Sequence, residues 1–462
     1  MKVLFIVHDV YQPDVEFPLG PAYLSSVLRQ NGVETEVYSM DAYHYTNKQL
    51  AEFLDKREYD VIGLGFMSAR FNETIIELAK VINKHKKKAW FVLGGHGASA
   101  TPEYMVEKLG VDGVIVGEGE NSMLKLMEHR QNNDNKVIYR EPPVKNLDAI
   151  PFPDWETFPT EYYLDCYKWP GMKDNDRIMS VLSSRGCVNR CAFCYRMEKG
   201  IRVRKIDKII EEMKILYNKY KVKYFLFEDE LFVLSKKRLE QFYIALQNAN
   251  LDIKYICSAR VNLIDEELLT LMKNSGCIFI NYGFESMNQK VLDAMHKNTT
   301  VEQNDNAAKL TRQFEIPFGL NLIWNNKFDT VETLKENKEF IIKYNMFDQL
   351  RTIRPVTPYP GCELYYDAVE QGLLKGPDDF YTKFKNSDLI MVNFTDLKLD
   401  DMYDALFKTN KELIYDHYKR TGLGMNEADH IIDGFYRLYY EDFYKFRGAR
   451  HYDKQTEGFL WK

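Results

Sequence analysis

Short apolar runs alternate with amphipathic stretches along most of this chain, and that alternation restricts the possible folds more than any other feature. Residues 2–7, 34–39, 61–66, 89–93 and 113–116 read as strands, and helical patterns over 22–31, 47–56, 72–85 and 102–109 fill the gaps. Strands separated by helical segments of about 10–15 residues do not pair as hairpins; they build βαβ units and an open parallel sheet. The alternation resumes at residue 177, with strands expected at 178–183, 224–227, 255–258, 278–284, 318–323 and 350–355, and helices between them, for example over 205–220 and 265–274. Repeated βα units of this kind predict a partial (β/α)6 TIM barrel, whose chemistry belongs at the C-terminal ends of its strands. The expected fold class is therefore α/β. A Rossmann-like open parallel sheet spans 1–140, a linker 141–176, a partial barrel 177–365 and a helical C-terminal domain 366–462.

The linker carries Pro142, Pro143, Pro151 and Pro153, which cannot continue a helix, and it reads as an extended crossing that wraps one domain against the other. From about Asp367 the chain is helical and rich in Tyr and Phe, as at Phe435, Tyr436, Tyr439, Tyr440, Phe443, Tyr444 and Phe446. These suit a helical cap whose aromatic face packs on the barrel, or, as a sharper alternative, tyrosines that close a substrate pocket. Charge excludes some partners. With 62 Lys and Arg against 68 Asp and Glu the net charge is −6, and no basic block marks a nucleic-acid surface. The absence of a long apolar run or signal peptide predicts a soluble, cytoplasmic protein with no membrane partner.

Chemistry enters with Cys187, Cys191 and Cys194, spaced C-x3-C-x2-C just after an apolar run. An iron–sulfur cube of four irons is saturated by four thiolates, so three leave one iron open to an exogenous ligand. Zinc usually takes a fourth Cys or His nearby, and no histidine lies between His129 and His296. The remaining Cys166, Cys257, Cys277 and Cys362 are scattered and read as small buried hydrophobes, not as a second cluster or a disulfide framework. Glycines punctuate the strand ends at Gly94-Gly95-His96-Gly97 and Gly117-Glu118-Gly119. They either close turns or let the backbone approach a bulky ligand at the carboxyl edge of the sheet. No G-x-G-x-x-G follows the first strand, which disfavours a dinucleotide site.

The cysteine spacing, with Phe193 before the third thiol, resembles the signature of the radical SAM superfamily. That resemblance implies that Cys187, Cys191 and Cys194 ligate a 4Fe–4S cluster, that its open iron binds S-adenosylmethionine (SAM), and that Phe193 lies against the adenine. Gly20-Pro21-Ala22-Tyr23-Leu24, Val92-Leu93-Gly94-Gly95-His96 and Val116-Gly117-Glu118-Gly119-Glu120 look like the cobalamin-binding domain that precedes many such barrels. The implied corrin contacts are Gly20, Gly94, Gly95, His96, Gly117, Glu118 and Gly119. Ser68, Ala69 and Arg70, after the third strand, would approach the lower face. Asp9 is followed by Val10-Tyr11, so the lower axial histidine of other cobalamin enzymes is missing, as it usually is in this branch. Leu147-Asp148-Ala149-Ile150-Pro151-Phe152-Pro153 resembles the linker between the two domains.

In the barrel, Phe227-Glu228-Asp229-Glu230-Leu231-Phe232 resembles an F-x-D-D-x-F element, with Glu230 for the second aspartate, and implies that Asp229 receives the SAM ammonium. Arg260 offers a bidentate partner for the SAM carboxylate. Gly283-Phe284-Glu285-Ser286 matches G-x-E-S, which places Glu285 and Ser286 at the ribose or ammonium. The fifth strand departs from the family by ending in Trp324-Asn325-Asn326, and the sixth leads into Thr357-Pro358-Tyr359-Pro360-Gly361-Cys362. Trp324 and Tyr359 are the expected substrate-pocket residues. No catalytic residue beyond the cofactor sites is assigned.

The resemblance implies a cobalamin-dependent radical SAM enzyme that methylates an unactivated carbon (or phosphorus) of a small-molecule or natural-product intermediate. One SAM would methylate the corrin to methylcobalamin, and a second would yield a 5′-deoxyadenosyl radical that activates the substrate. Electrons would come from a donor such as flavodoxin or ferredoxin. Two alternatives stand beside this: a cyclase or rearrangement enzyme, or one with a vestigial corrin domain; and a non-catalytic, SAM-binding iron–sulfur regulatory protein.

Overall fold

The computed structural model describes residues 1–11, 15–132, 136–345, 349–441, 451–453 and 458–460. Its N-terminal sheet contains β1 (Lys2–Val7), β2 (Glu34–Ser39), β3 (Val61–Gly65), β4 (Trp90–Gly94), β5 (Gly113–Ile115) and β6 (Ile138–Tyr139), all parallel, in the order β2-β1-β3-β4-β5-β6. Crossover helices sandwich it, as the alternation requires. One helix, Gly119–Asn132, escapes the sequence reading because it starts from glycine in a run taken for a turn. Another short helix, Gly95–Ala100, occupies the glycine segment after β4.

After the linker, β7 (Ile178–Val181) is followed by an antiparallel hairpin of β8 (Ser184–Cys187) and β9 (Gly200–Val203). Then come β10 (Tyr224–Phe227), β11 (Lys254–Ala259), β12 (Cys277–Glu285), β13 (Phe318–Trp324) and β14 (Arg354–Pro355). Strands β14-β13-β12-β11-β10-β7 form a single parallel half-barrel, so the expected partial barrel is present. Its sixth strand is much shorter than the expected 350–355. The reason is local: the Asn410 side chain accepts from the Ile353 amide at 2.8 Å and donates to its carbonyl at 3.0 Å, which occupies the groups a ladder would use.

The linker is less extended than its prolines suggest, since Thr160–Cys166 is helical and Leu147–Ala149 makes a single turn. It does strap the two sheets together. Ser25 and Ser26 donate to the Asp154 carboxylate at 2.7 Å and the Phe152 carbonyl at 2.5 Å, and the Tyr163 hydroxyl donates to Asp41 at 2.8 Å. Val15, Phe17, Trp155, Phe158 and Leu164 share one core with the outer face of the half-barrel. The segment expected to form one C-terminal domain divides its packing. Phe380, Tyr381 and Phe384 join the core under the N-terminal sheet, whereas helices Leu399–Thr421 and Met425–Tyr440 cover the barrel. Phe435, Leu438 and Tyr439 are buried there as a cap, and Phe443, Tyr444 and Phe446 lie outside the described residues.

A buried ion pair braces the barrel entrance. Arg204 bonds to the fully buried Glu212 and donates to the Leu182 carbonyl at 2.7 Å. Replacing one member of such a pair leaves an uncompensated charge, a loss of about 3–5 kcal/mol. Arg204→Leu is therefore expected to shift the urea unfolding midpoint well below that of the wild type, and an unchanged midpoint would refute a structural role for the pair.

Candidate active site

The cysteine-bearing loop is built outward from the β8–β9 hairpin. Gly186 has φ +85°, and a Cβ there would sit 2.4 Å from the Gly200 carbonyl, so only glycine lets the hairpin close just before Cys187. The loop is pinned in its middle: Ala192 donates to the Met295 carbonyl at 2.9 Å and accepts from the Leu364 amide at 2.8 Å. Cys187 and Cys191 are half-buried and Cys194 is exposed. Among the described residues no three acidic, His or Cys side chains converge to hold one metal ion. A cube does not require such convergence, because its thiolates bind different irons.

Beside this loop, three of the expected SAM residues gather around one that the sequence reading missed. Lys297 Nζ lies 2.7 Å from Glu285 Oε1 and 5.9 Å from the centroid of Phe193, and its backbone carbonyl accepts from Arg260. Arg260 Nε is buried with no hydrogen-bond partner, a donor left over for a ligand. Glu285 itself has φ +63°. Such strain in a non-glycine residue persists only where its surroundings impose it. No short motif marks Lys297; it lies just beyond helix Gln289–Ala294, and only the fold brings it to Glu285.

Two expected SAM residues point elsewhere. Asp229 is fully buried; its carboxylate accepts from the Ser183 amide at 3.0 Å and hydroxyl at 2.7 Å and from the Ser184 hydroxyl, so it braces the turn that launches the cysteine hairpin. Its neighbours Glu228 and Glu230 take the cavity wall instead. All three residues lie beyond the end of β10, where the chain turns Asp229 inward to Ser183 and Ser184 and leaves its two neighbours on the cavity. Ser286 is buried and accepts from the Asn288 amide at 3.2 Å, a turn-closing role.

Between the sheets lies a cavity of about 480 Å³, lined on one side by Gly20, Gly63, Gly65, Gly94 and Gly95 and by His96, Gly117, Glu118 and Gly119. A Cβ on Gly65 or Gly94 would meet nothing nearer than 4.0 Å. These glycines therefore leave open a slot that ordinary side chains would fill, which fits one arm of a large cofactor. Across the mouth, Glu118 accepts from Arg185 at 3.1 Å and from Arg202, and Glu120 from Arg185 at 2.7 Å. This carboxylate–guanidinium latch fixes the glycine loop to the hairpin that carries the cysteines. Burial lowers the His96 pKa, and its ring meets Tyr195 of the cysteine loop edge-on at 6.0 Å. Glu228 after β10 and Glu16 after β1 also face this cavity, and burial with the neighbouring Glu16 pushes Glu228 up to about 8.

Ser68, Ala69 and Arg70 do not line the slot. Arg70 pairs with Glu73 at 2.7 Å, and the following turn is drawn to the C-terminal segment by Asn72, which donates to the Phe384 carbonyl at 3.0 Å. Neither expected substrate-pocket residue lines this cavity. Trp324 has no exposed surface and donates to the Thr330 carbonyl at 3.0 Å, while Asn325 anchors the Val392 carbonyl at 2.7 Å. Tyr359 is partly buried and packs against the core below the N-terminal sheet, its ring centroid 5.8 Å from that of Phe384.

A family model described as the B12 binding domain matches residues 12–127, and one for the radical SAM superfamily matches residues 181–341. An uncharacterized methyltransferase of Pyrococcus horikoshii is 29% identical over 92% of this chain and 94% of its own length. The anaerobic magnesium-protoporphyrin IX monomethyl ester cyclase of Rubrivivax gelatinosus is 28% identical over 79% of this chain and 70% of its own. The solved structure of the radical S-adenosylmethionine methyltransferase TsrM from Kitasatospora setae, with cobalamin and a 4Fe–4S cluster bound, shares the fold at a TM-score of 0.62 and 18% identity, covering 81% of this chain and 79% of that one. Among the described residues no helix is long and apolar enough to cross a membrane.

Proposed function

As a radical SAM enzyme with a B12 binding domain ahead of its barrel, the chain has two cofactor sites facing one another, and we propose that it methylates an unactivated carbon (or phosphorus) of a small molecule. The observation that carries this reading is the latch: Glu118 and Glu120 of the glycine loop grip Arg185 and Arg202 of the cysteine hairpin, so the two cofactor-holding loops are fixed to each other. Cys187, Cys191 and Cys194 would hold the cluster. Phe193, Arg260, Glu285 and Lys297 would hold SAM, with the guanidinium of Arg260 suited to its carboxylate. Gly20, Gly94, Gly95, His96, Gly117, Glu118 and Gly119 would border the corrin. When bound, the cluster with SAM supplies a radical able to take hydrogen from an unactivated carbon, and the corrin supplies the methyl group.

The residues of the chain set the conditions for that chemistry. Burial raises the pKa of both Glu16 and Glu228, and the neighbouring Glu16 raises Glu228 further, so the cavity wall is less negative there than two free carboxylates would make it. Electrons would arrive from a small donor such as a flavodoxin or ferredoxin.

The test is anaerobic incubation of the reconstituted protein with methyl-labelled SAM, cobalamin, a low-potential reductant and candidate small molecules. Label in a product carbon or phosphorus is the expected result. Formation of 5′-deoxyadenosine with an unlabelled, rearranged or cyclised product would replace methylation by the chemistry named for the cyclase relative. SAM bound but never cleaved would leave a regulatory protein.

A further inference from the structure

A second cavity, of about 450 Å³, lies within the half-barrel itself. Its floor is apolar: Leu226, Ile256 and Phe279 are in register across β10, β11 and β12, and Trp169 of the linker closes it edge-on to Phe279 at 4.9 Å. One layer nearer the mouth the wall becomes polar, with Glu16, Glu228, Asp229, Ser258 and Asn281 joined by Arg351 from the segment entering β14; the Asp229 carboxylate is turned to Ser183, and burial raises the pKa of Glu16 and Glu228. Barrel interiors at this depth are ordinarily filled by branched apolar side chains, so a polar layer around a void needs a reason.

Arg351 supplies one. Its guanidinium bonds to the Gln349 side chain, while its Nε is buried with no hydrogen-bond partner. Among the described residues no carboxylate lies within ion-pair distance of it. Burial lowers its pKa to about 10, which still leaves it charged at neutral pH. A half-buried cation without a counter-charge is costly unless a ligand provides one. Arg351 is also separate from the Arg260–Glu285–Lys297 cluster, none of which lines this cavity; of the expected SAM residues only Asp229 does, with its carboxylate bonded to Ser183 and Ser184.

We propose that the barrel interior is the substrate site and that Arg351 binds an anionic group, a carboxylate or phosphate, on the substrate, whose apolar body rests on the Leu226–Ile256–Phe279 floor. Planar guanidinium geometry suits both anions. The assignment of the ligand as substrate rests on the methyltransferase reading; the anion site itself does not.

The probes are phenyl phosphate, phenylacetate and uncharged 2-phenylethanol. Each is titrated calorimetrically into the anaerobically reconstituted full chain with SAM already saturating. At least one anion is expected to bind about tenfold or more tightly than 2-phenylethanol, and which anion does so distinguishes carboxylate from phosphate recognition. Arg351→Gln should abolish that preference, and Arg351→Lys should keep part of it, with a far-ultraviolet spectrum matching the wild type in both. Equal binding of charged and neutral probes, an unchanged preference in Arg351→Gln, or anion binding that appears only when SAM is left out would overturn the proposal. Because no turnover is measured, an absence of methyl transfer would overturn the functional reading without touching this one.

Discussion

Cys191→Ala is expected to reduce 5′-deoxyadenosine formation to background and to bring bound iron well below four per chain. Cys191 sits between the other two thiols, one residue before the backbone clamp at Ala192, so the loop keeps its path while losing a central ligand. Two thiolates cannot hold a cube that already relies on three. Cys277→Ala is the matched control. It removes a thiol buried in the barrel wall, away from the loop, and should retain both iron and SAM cleavage. Anaerobic iron analysis and chromatography of the nucleoside product measure both effects. SAM cleavage by Cys191→Ala at the wild-type rate would sink the assignment of the cluster to this motif.

The second large effect is expected from filling the glycine slot. Gly65 lies at the end of β3, with no positive φ to forbid a side chain and no atom within 4 Å of its Cβ other than the Gly94 carbonyl at that limit. Gly65→Phe should therefore fold and place its ring in the 480 Å³ cavity. Cobalamin binding, followed by its visible absorption after gel filtration, should weaken by at least about a hundredfold, which corresponds to about 2.7 kcal/mol. Methyl transfer should fall with it. Cobalamin retained by this variant at wild-type stoichiometry would place the corrin somewhere other than the glycine slot.

The motifs located the site, and the errors around them have a common cause. Phe193, Arg260 and Glu285 converge as their motifs implied, yet Lys297, which joins all three, carries no local signature. In the carboxylate run after β10 the motif is correctly placed, but Glu228 and Glu230 line the cavity while Asp229 braces Ser183 and Ser184. This run lies beyond the end of the strand, where no regular alternation assigns faces, so a resemblance that fixes the run cannot choose among neighbours. Trp324 and Asn325 were conspicuous because they break the family pattern. Their work is to anchor segments near Thr330 and Val392, and an unusual residue at a strand end is as readily an anchor as a contact. Ser68, Ala69 and Arg70 were placed by analogy to a loop that here turns toward Tyr381 and Phe384.

What the sequence determined on its own is whatever depends on short-range periodicity and spacing. Apolar runs divided by helical segments dictate two parallel sheets, and three thiols within eight residues give the spacing from which a cluster with an open iron is proposed. Only the tertiary structure decided how those parts face each other. The Glu118 and Glu120 latch on Arg185 and Arg202, the meeting of Glu16 with Glu228, and the solitary Arg351 above its apolar floor all join residues from distant parts of the chain. No local pattern encodes such pairs, because each side chain alone looks like a solvated charge. Removal from water in a shared cavity gives each charge its consequence, and that burial exists only once both sheets have formed and the linker has drawn them together.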